Sequence, residues 1–346
     1  MKHIICFLSA IFILSSCASP FYMIPIDTLE PAIVTFSPEV NNVLIVDNSP
    51  TVAEEDDADD NKSGQSVISL DSARTILLGS LVQFMNEEQY FNKVDLYPYK
   101  TNNSKILKDL NPLSKRKVQA ICREQKADVL ISLDLFVVSA QIESESTAYF
   151  TDYSIIGAKL GSILRVFSND GDLYHSRIGY VDSLFREGPA PWDIRKNYTS
   201  EVNTLITDLS IVGADKMTGM FIPSWKTHDR WYYSDNSSEM KQAANFAKEG
   251  KWENAFTIWT ALYDKETKAD KKIKLASNIA LANECLDNID EAYKWINTAF
   301  DSLFTKNKKL ALQISLYKTE LDKRKNNAHK LEEQLGISEA VEDLGE

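Results

Sequence analysis

The chain has 346 residues, 44% hydrophobic and 25% charged, with 50 acidic residues against 38 Lys plus Arg. That length accommodates two domains, each with its own core. The net charge of −12 argues against a dedicated nucleic-acid binder, because a phosphate backbone selects for the opposite sign. Four cysteines, at positions 6, 17, 122 and 285, are too few and too scattered for a disulfide framework or a zinc site.

The first seventeen residues have the layout of an export signal. Lys2 and His3 open the chain, Ile4 to Leu14 is an unbroken apolar run, and the small residues Ser15 and Ser16 precede Cys17. The run is too short to span a bilayer as a stable helix. Leu14-Ser15-Ser16-Cys17 resembles the lipobox of bacterial lipoproteins. That resemblance implies cleavage after residue 16, acylation of Cys17 and a membrane held by roughly 0.8 kcal/mol per buried CH₂ of acyl chain. Removing residues 1–16 takes away Lys2 and no acid, so the net charge moves from −12 to −13. No aspartate follows Cys17 and no acidic run comes directly after it, a pattern that in the lipoprotein family implies the outer membrane and its periplasmic face. The segment 17–31 is read as the lipidated tether.

From residue 32 to 222 strands and helices alternate. Ala32–Phe36 and Asn42–Asp47 are short β-branched runs bounded by Pro31, Pro38 and Pro50, and read as strands. The acidic segment 54–60 reads as a solvated loop. Within it and just beyond, Asp59-x-Asn61-x-Ser63-Gly64 matches the first half of a calcium loop, but Leu70 stands where a bidentate glutamate is required. Leu70, Ala73, Leu77, Leu81 and Phe84 recur at helical spacing; Phe91–Tyr97 reads as a strand; Ser114 is placed to cap a helix ending near Glu124. Val129, Ile131, Leu133, Leu135 and Val137 alternate with Ser132 and Asp134, which predicts a half-buried strand running towards Glu145. Ile155–Phe167 and Leu173–Tyr180 are joined by Ser168-Asn169-Asp170-Gly171, a hairpin signal. A last helix carries Val202, Leu205, Ile206, Leu209 and Val212. This order predicts a mixed sheet with packed helices, an α+β domain. The helix from Val118, the strand after Ala127-Asp128 and the run ending in Asp170-Gly171 resemble the α/β modules of envelope assembly lipoproteins of the curli-secretion, penicillin-binding-protein-activator and TolB-N-terminal types. Such modules bind partners or build assemblies.

Residues 223–238 form an aromatic connector without helical period, and 239–335 an all-α domain. Ala243/Ala280, Trp252/Ile289, Ala255/Ala292, Trp259/Ile296 and Leu262/Ala299 are all 37 apart. The pattern around Gly250-Lys251-Trp252 and Asp287-Asn288-Ile289 resembles a tetratricopeptide repeat, whose period is about 34. The extra residues are assigned to the polar stretch 264–272, and the second copy has Asp287 in place of the turn glycine. From Lys306, the positions Leu310, Ile314, Tyr317, Leu321, Arg324, Ala328, Leu331 and Leu335 form a heptad seam, interrupted by Arg324, which predicts a capping helix. Its eight basic residues against two acids between 306 and 330 read as a solvated face, and 336–346 as an acidic tail.

The four histidines lack metal-ligand spacing, no nucleophile elbow, phosphate loop or dinucleotide fingerprint occurs, and Cys122 and Cys285 read as structural thiols. No cofactor is expected. The whole chain resembles uncharacterised Bacteroides-type lipoproteins that join an α/β module to a tetratricopeptide-like tail. The reading is therefore a non-catalytic scaffold, anchored to the outer membrane through Cys17, that offers a helical groove to a protein or peptide. Trp225, Trp231, Trp252 and Trp259 are the expected aromatic anchors, with 1–16 as signal peptide. The competing readings are a subunit of an envelope secretion or assembly complex, which needs a long amphipathic hairpin from 141 to 165, and an envelope hydrolase, which needs a pocket of convergent polar groups in the α/β half.

Overall fold

An apolar run of four, Val43-Leu44-Ile45-Val46, builds a strand (β2, Asn42–Asp47) that is buried on both faces, as parallel strands between helices are. The computed structural model describes residues 21–51, 70–104, 106, 110–145, 154–188, 191–303 and 307–337. These divide into two compact units. One joins Phe21–Glu30 to Trp225–Leu331, and the other joins Pro31–Ser224 to residues 332–337.

The second of these is the sheet unit. Strand β2 pairs in parallel with β3 (Lys93–Leu96) and β4 (Val129–Glu145), and β4 continues antiparallel into β5 (Ser154–Ser168) and β6 (Leu173–Gly188), giving the order β3-β2-β4-β5-β6. Helices α1 (Leu70–Glu87) and α3 (Pro191–Thr218) cover one face. There Ala73, Leu77, Leu81, Leu205 and Leu209 meet Val43, Ile45 and Val129. Helix α2 (Lys115–Gln125) covers the other, with Val118, Ile121 and Cys122 on Leu44, Val46 and Leu130. Ser114 occupies the N-cap position of α2, although its side chain makes no capping bond. Gly171, at φ 79°, closes the β5–β6 hairpin where a Cβ would meet the Lys115 carbonyl at 2.8 Å.

Three expectations change here. Ala32–Phe36 is alternately buried but bends at Ile33 and Val34 and belongs to no strand. Its polar backbone is met by the Met220 carbonyl (Val34 N, 3.0 Å) and by the side-chain amide of Gln334, which accepts from Ala32 N at 2.9 Å and donates to Ala32 O at 3.1 Å. Ser132 and Asp134 do not face solvent, because both are fully buried. Asp134 is the extra residue of a bulge between the pairs Leu133↔Leu164 and Leu135↔Ile163. A bulge shifts the alternation by one, so Phe136 and Ala140 enter the core in place of Leu135 and Val137. The buried Asp134 carboxylate pairs with Arg165 and accepts from Ser132 Oγ (2.6 Å) and Asn48 Nδ2 (2.8 Å). Finally, Val212 is partly exposed and Ala214 takes the core position.

The other unit is helical, with one small sheet. Residues 17–31 and 223–238, expected as tether and connector, contain strands β1 (Phe21–Glu30) and β7 (Ser224–Tyr233), which pair with each other. Helices α4 (Ser238–Lys248), α5 (Trp252–Lys265), α6 (Ala269–Cys285), α7 (Ile289–Asp301) and α8 (Lys308–Leu335) follow. The 37-residue offset carries the first residue of α5 onto the first of α7. It also repeats the turn before them. Lys251 N bonds Phe246 O and Asn288 N bonds Asn283 O, both at 2.9 Å, and Asp287 adopts φ 60° where Gly250 has φ 72°. An aspartate tolerates that left-handed conformation better than most residues. Ala243, Ala255, Ala280 and Ala292 are fully buried. The residues between α5 and α6 number only 266–268, so most of the stretch 264–272 is helical. In α8, Leu310, Ile314, Tyr317 and Leu321 are buried as the seam requires, but Leu335 is 43% exposed and Gln334 is buried instead.

The central helix α6 is buried almost all round and carries Glu284 into the core. The Glu284 carboxylate receives Arg230 of β7 in a fork (Nε 3.1 Å, Nη2 3.1 Å), Tyr317 OH at 2.8 Å and Arg324 Nη1 at 3.2 Å. Arg324, the charge that breaks the seam, is thereby explained. Burial alone would lower the Arg230 pKa, but Glu284 holds it above its ordinary value. Burial first, and then Glu284, push the Tyr317 phenol well above its own. Replacing Arg230 by Met leaves a buried carboxylate short of its main partner and is expected to cost about 3 kcal/mol in urea unfolding. The double variant Arg230→Met/Glu284→Leu is expected to recover most of that loss.

Candidate functional site

Strand β7 ends at Tyr233, and the residues after it build a cavity of about 250 Å³ in the helical unit. Asp235 Oδ1 accepts from Ser237 N (2.9 Å) and Ser237 Oγ (2.6 Å), forming a tight turn. Ser237 Oγ in turn accepts from Met240 N at 3.4 Å and caps α4. At the far side Glu266 Oε1 accepts from the N–H groups of Thr267 and Lys268, both at 2.9 Å, and launches α6. Lys271 and Lys274 stand on the first turns of that helix. Tyr233 is fixed by Asn278, which accepts from its N–H at 2.8 Å and donates to its carbonyl at 2.7 Å. Met240, Leu262, Leu275 and the Tyr233 ring form an apolar floor, with Asp235, Glu239, Glu266, Lys271 and Lys274 at the rim.

The rim carboxylates are committed to the fold. Burial pulls the Asp235 carboxyl upward, but bonds from Ser237 and Lys271 outweigh it and hold the group below its ordinary range. Glu266 is depressed by the backbone N–H of Lys268 first, and Glu239 by the Ser238 hydroxyl. Lys271 lies 3.1 Å from Asp235 and is raised by it. The Lys274 ammonium lies 5.6 Å from the centre of the Tyr233 ring, and burial lowers its pKa. Mixed charge around an apolar floor suits a segment of polypeptide. A second charged cluster lies at the carboxyl end of β2 in the sheet unit. There Arg74 Nε meets Asp47 at 2.7 Å and Lys100 Nζ lies 3.9 Å from the same carboxylate. Burial lowers the Lys100 pKa, and Asp47 opposes that shift.

The four tryptophans are not gathered on one surface. Trp259 is fully buried against Tyr232, with ring centroids 5.9 Å apart, and is core rather than anchor. Trp231 packs between Phe21 (6.4 Å) and Tyr317 (5.9 Å). Trp252 is half-buried against the helical core. Trp225 alone is open, at 70% exposure. The reason is local: on α5, Trp259 follows Ala255 by one turn and fills the space that this small side chain leaves. None of the cavity-lining residues was anticipated, although Asp235-x-Ser237 before a helix is a readable turn-and-cap signal. Cys17 and the Asp59–Gly64 pattern lie outside the described residues.

Cys122 and Cys285 are free thiols, pushed up by burial to about 11 and about 12 respectively, which disfavours the thiolate. Among the described residues no group of three or more His, Cys, Asp or Glu is placed to hold a metal ion, and no helix is long and apolar enough to cross a membrane.

Residues 40–233 match the model of a family described as a domain of unknown function (DUF8603), and residues 241–323 match a second, described as a domain of unknown function (DUF6340). No curated protein matches the chain. Among solved structures, a minor lipoprotein from Acinetobacter baumannii shares 7% identity over 53% of this chain and 95% of its own, with a TM-score of 0.26. Rare lipoprotein B from Shewanella oneidensis shares 9% over 50% and 89%, with a TM-score of 0.22. A lipoprotein from Neisseria meningitidis shares 10% over 47% and 96%, with a TM-score of 0.22. Likenesses this slight carry no argument about fold or function.

The depressed Asp235 pKa sets a sign for pH dependence. The group contributes stability that is present above its unfolded pKa and is lost as pH falls through the folded one. Asp235→Asn is therefore expected to lower the melting temperature at pH 7. The difference from the parent chain should shrink to nothing once pH drops below the ordinary carboxylate range.

Proposed function

We propose, from the premise that this chain belongs to the family described as a domain of unknown function (DUF8603), that it is an exported lipoprotein acting as a non-catalytic scaffold in the bacterial envelope. Acylated Cys17 anchors it to the outer membrane, facing the periplasm, and the helical unit receives a protein or peptide partner. The observation that carries the binding role is the 250 Å³ cavity between α4, α5 and α6, with its apolar floor and mixed-charge rim. The anchoring role rests on the Leu14–Cys17 pattern. Tetratricopeptide-like character is supported by the 37-residue recurrence of helix starts and turn bonds.

A non-catalytic reading fits the way charge is used. The carboxylates of the cavity rim are tied to turns and helix caps, and the buried ones, Glu284 and Asp134, are neutralised by arginines. A carboxylate held in this way is poorly placed to exchange protons with a substrate. Lys274 stands at the rim, its ammonium 5.6 Å from the centre of the Tyr233 ring, where it can meet a partner's acidic side chain.

One experiment tests both halves of the reading. The chain carries a photo-crosslinking residue at the exposed rim position Glu239, and envelope fractions are analysed with and without Cys17→Ala. The expected result is one discrete adduct of fixed mass, abolished by Lys274→Glu, with the protein moving from the membrane to the soluble fraction when Cys17 is replaced. Persistence of Cys17→Ala protein in the membrane refutes the anchor. An adduct indifferent to Lys274→Glu refutes the cavity as the partner's site.

A further inference from the structure

The last strand of the five-stranded sheet is also among its longest. Strand β6 spans sixteen residues, whereas the opposite edge strand, β3, spans four. From Ile178 to Gly188 its pairing with β5 runs without a bulge, and that stretch contains no proline. Edge strands of this length are ordinarily blunted by bulges, prolines or projecting charge. Here Asp182 and Arg186 on the helix-covered face are paired with Lys216 (2.8 Å) and Asp208 (2.5 Å), and the exposed charges, Arg177 and Glu187, stand only at the two ends of the stretch. On the other face Val181 is 83% exposed and Phe185 is 53% exposed.

The edge is self-complementary in one register. When two copies of β6 run antiparallel about Ser183, Val181 of each lies directly opposite Phe185 of the other, so the pair forms twice and both exposed apolar residues of each copy are covered. Pairs of an aromatic with a β-branched residue are favourable cross-strand neighbours. In the same register Asp182 faces Leu184, Arg186 faces Tyr180 and Glu187 faces Gly179, so no like charges meet. Centring on Asp182 would set that carboxylate against its own copy, and centring on Leu184 would set Val181 against Glu187. The N–H of Ser183 donates to Asp182 Oδ1 at 2.9 Å, so an edge donor is held by a side chain that can be exchanged for a partner's carbonyl at little cost.

We propose that β6 pairs with β6 of a second copy of this chain, antiparallel and centred on Ser183, joining the two five-stranded sheets into one continuous sheet. The contact is isologous, so it closes at two copies and leaves the cavity of each helical unit out of the pairing. It stands independently of the role proposed for that cavity.

The register makes a sharp test. Directly opposite residues of an antiparallel pair lie about 4.5–5.5 Å apart at Cα, within the range a disulfide spans. Full-length chains bearing single substitutions Val181→Cys, Ser183→Cys, Leu184→Cys or Phe185→Cys are oxidised in membranes and compared with the parent chain on non-reducing gels. Ser183→Cys is expected to give the strongest dimer band, well above the parent background. A stronger band at 181, 184 or 185, or none at any position, overturns the proposal. Val181→Lys, on a side chain open enough to leave folding intact, is expected to halve the mass measured by light scattering in detergent. A Val181→Lys chain that remains dimeric, or a parent chain that is monomeric at the same concentration, also overturns it.

Discussion

One buried carboxylate organises the helical half of this protein. Glu284 sits in the last turn of α6, almost wholly buried, and a charge in that position persists only if it is paired and hydrogen-bonded. Its three partners arrive from two elements: Arg230 from β7, Tyr317 and Arg324 from α8. None of these elements satisfies it alone, so the strand, the central helix and the final helix are bound to one arrangement. Six residues earlier on α6, Asn278 clasps both backbone groups of Tyr233 and fixes the floor of the cavity. The shape of the candidate site is thus a consequence of where the ion cluster places β7 against α6.

The sheet unit answers a similar problem with a bulge. Asp134 interrupts the β4–β5 register, is neutralised by Arg165, and reverses which residues of β4 face the helices. Beyond that point the antiparallel strands run on well past the short parallel strands β2 and β3, and their outer margin carries Val181 and Phe185 in the open. The charges of that margin stand at its ends or turn towards the helices, which leaves its centre apolar. An edge this exposed is a liability for a lone chain and a resource for a paired one.

Much of the fold was legible in the sequence wherever periodicity and turn chemistry agreed. The continuous apolar run of β2, the helical spacing of Ala73, Leu77 and Leu81, the Asp170-Gly171 hairpin and the 37-residue offset between Trp252 and Ile289 all have local causes. What escaped has non-local causes. Strand β7 pairs with β1 some 200 positions earlier in the chain, and β1 contains Pro25, which weakens any strand signal. The bent segment at Val34 finds its partners in Met220 and Gln334 rather than in a neighbouring strand. The bulge at Asp134 depends on Arg165 being opposite. Trp259, conspicuous as a candidate anchor, is needed instead to fill the gap beside Ala255. The cavity rim was missed because its residues look like ordinary turn and cap chemistry, which is what most of them also perform.

The ion cluster joins β7, α6 and α8 into a single cooperative body that carries the cavity. Native-state hydrogen exchange followed by mass spectrometry measures this most directly. The account expects Ser224–Tyr233, Ala269–Cys285 and the α8 segment 308–331 to open together, with one shared free energy that falls by the same amount in all three when Arg230 is replaced by Met. Exchange of α8 at a much lower free energy than α6, unchanged by that substitution, would contradict it.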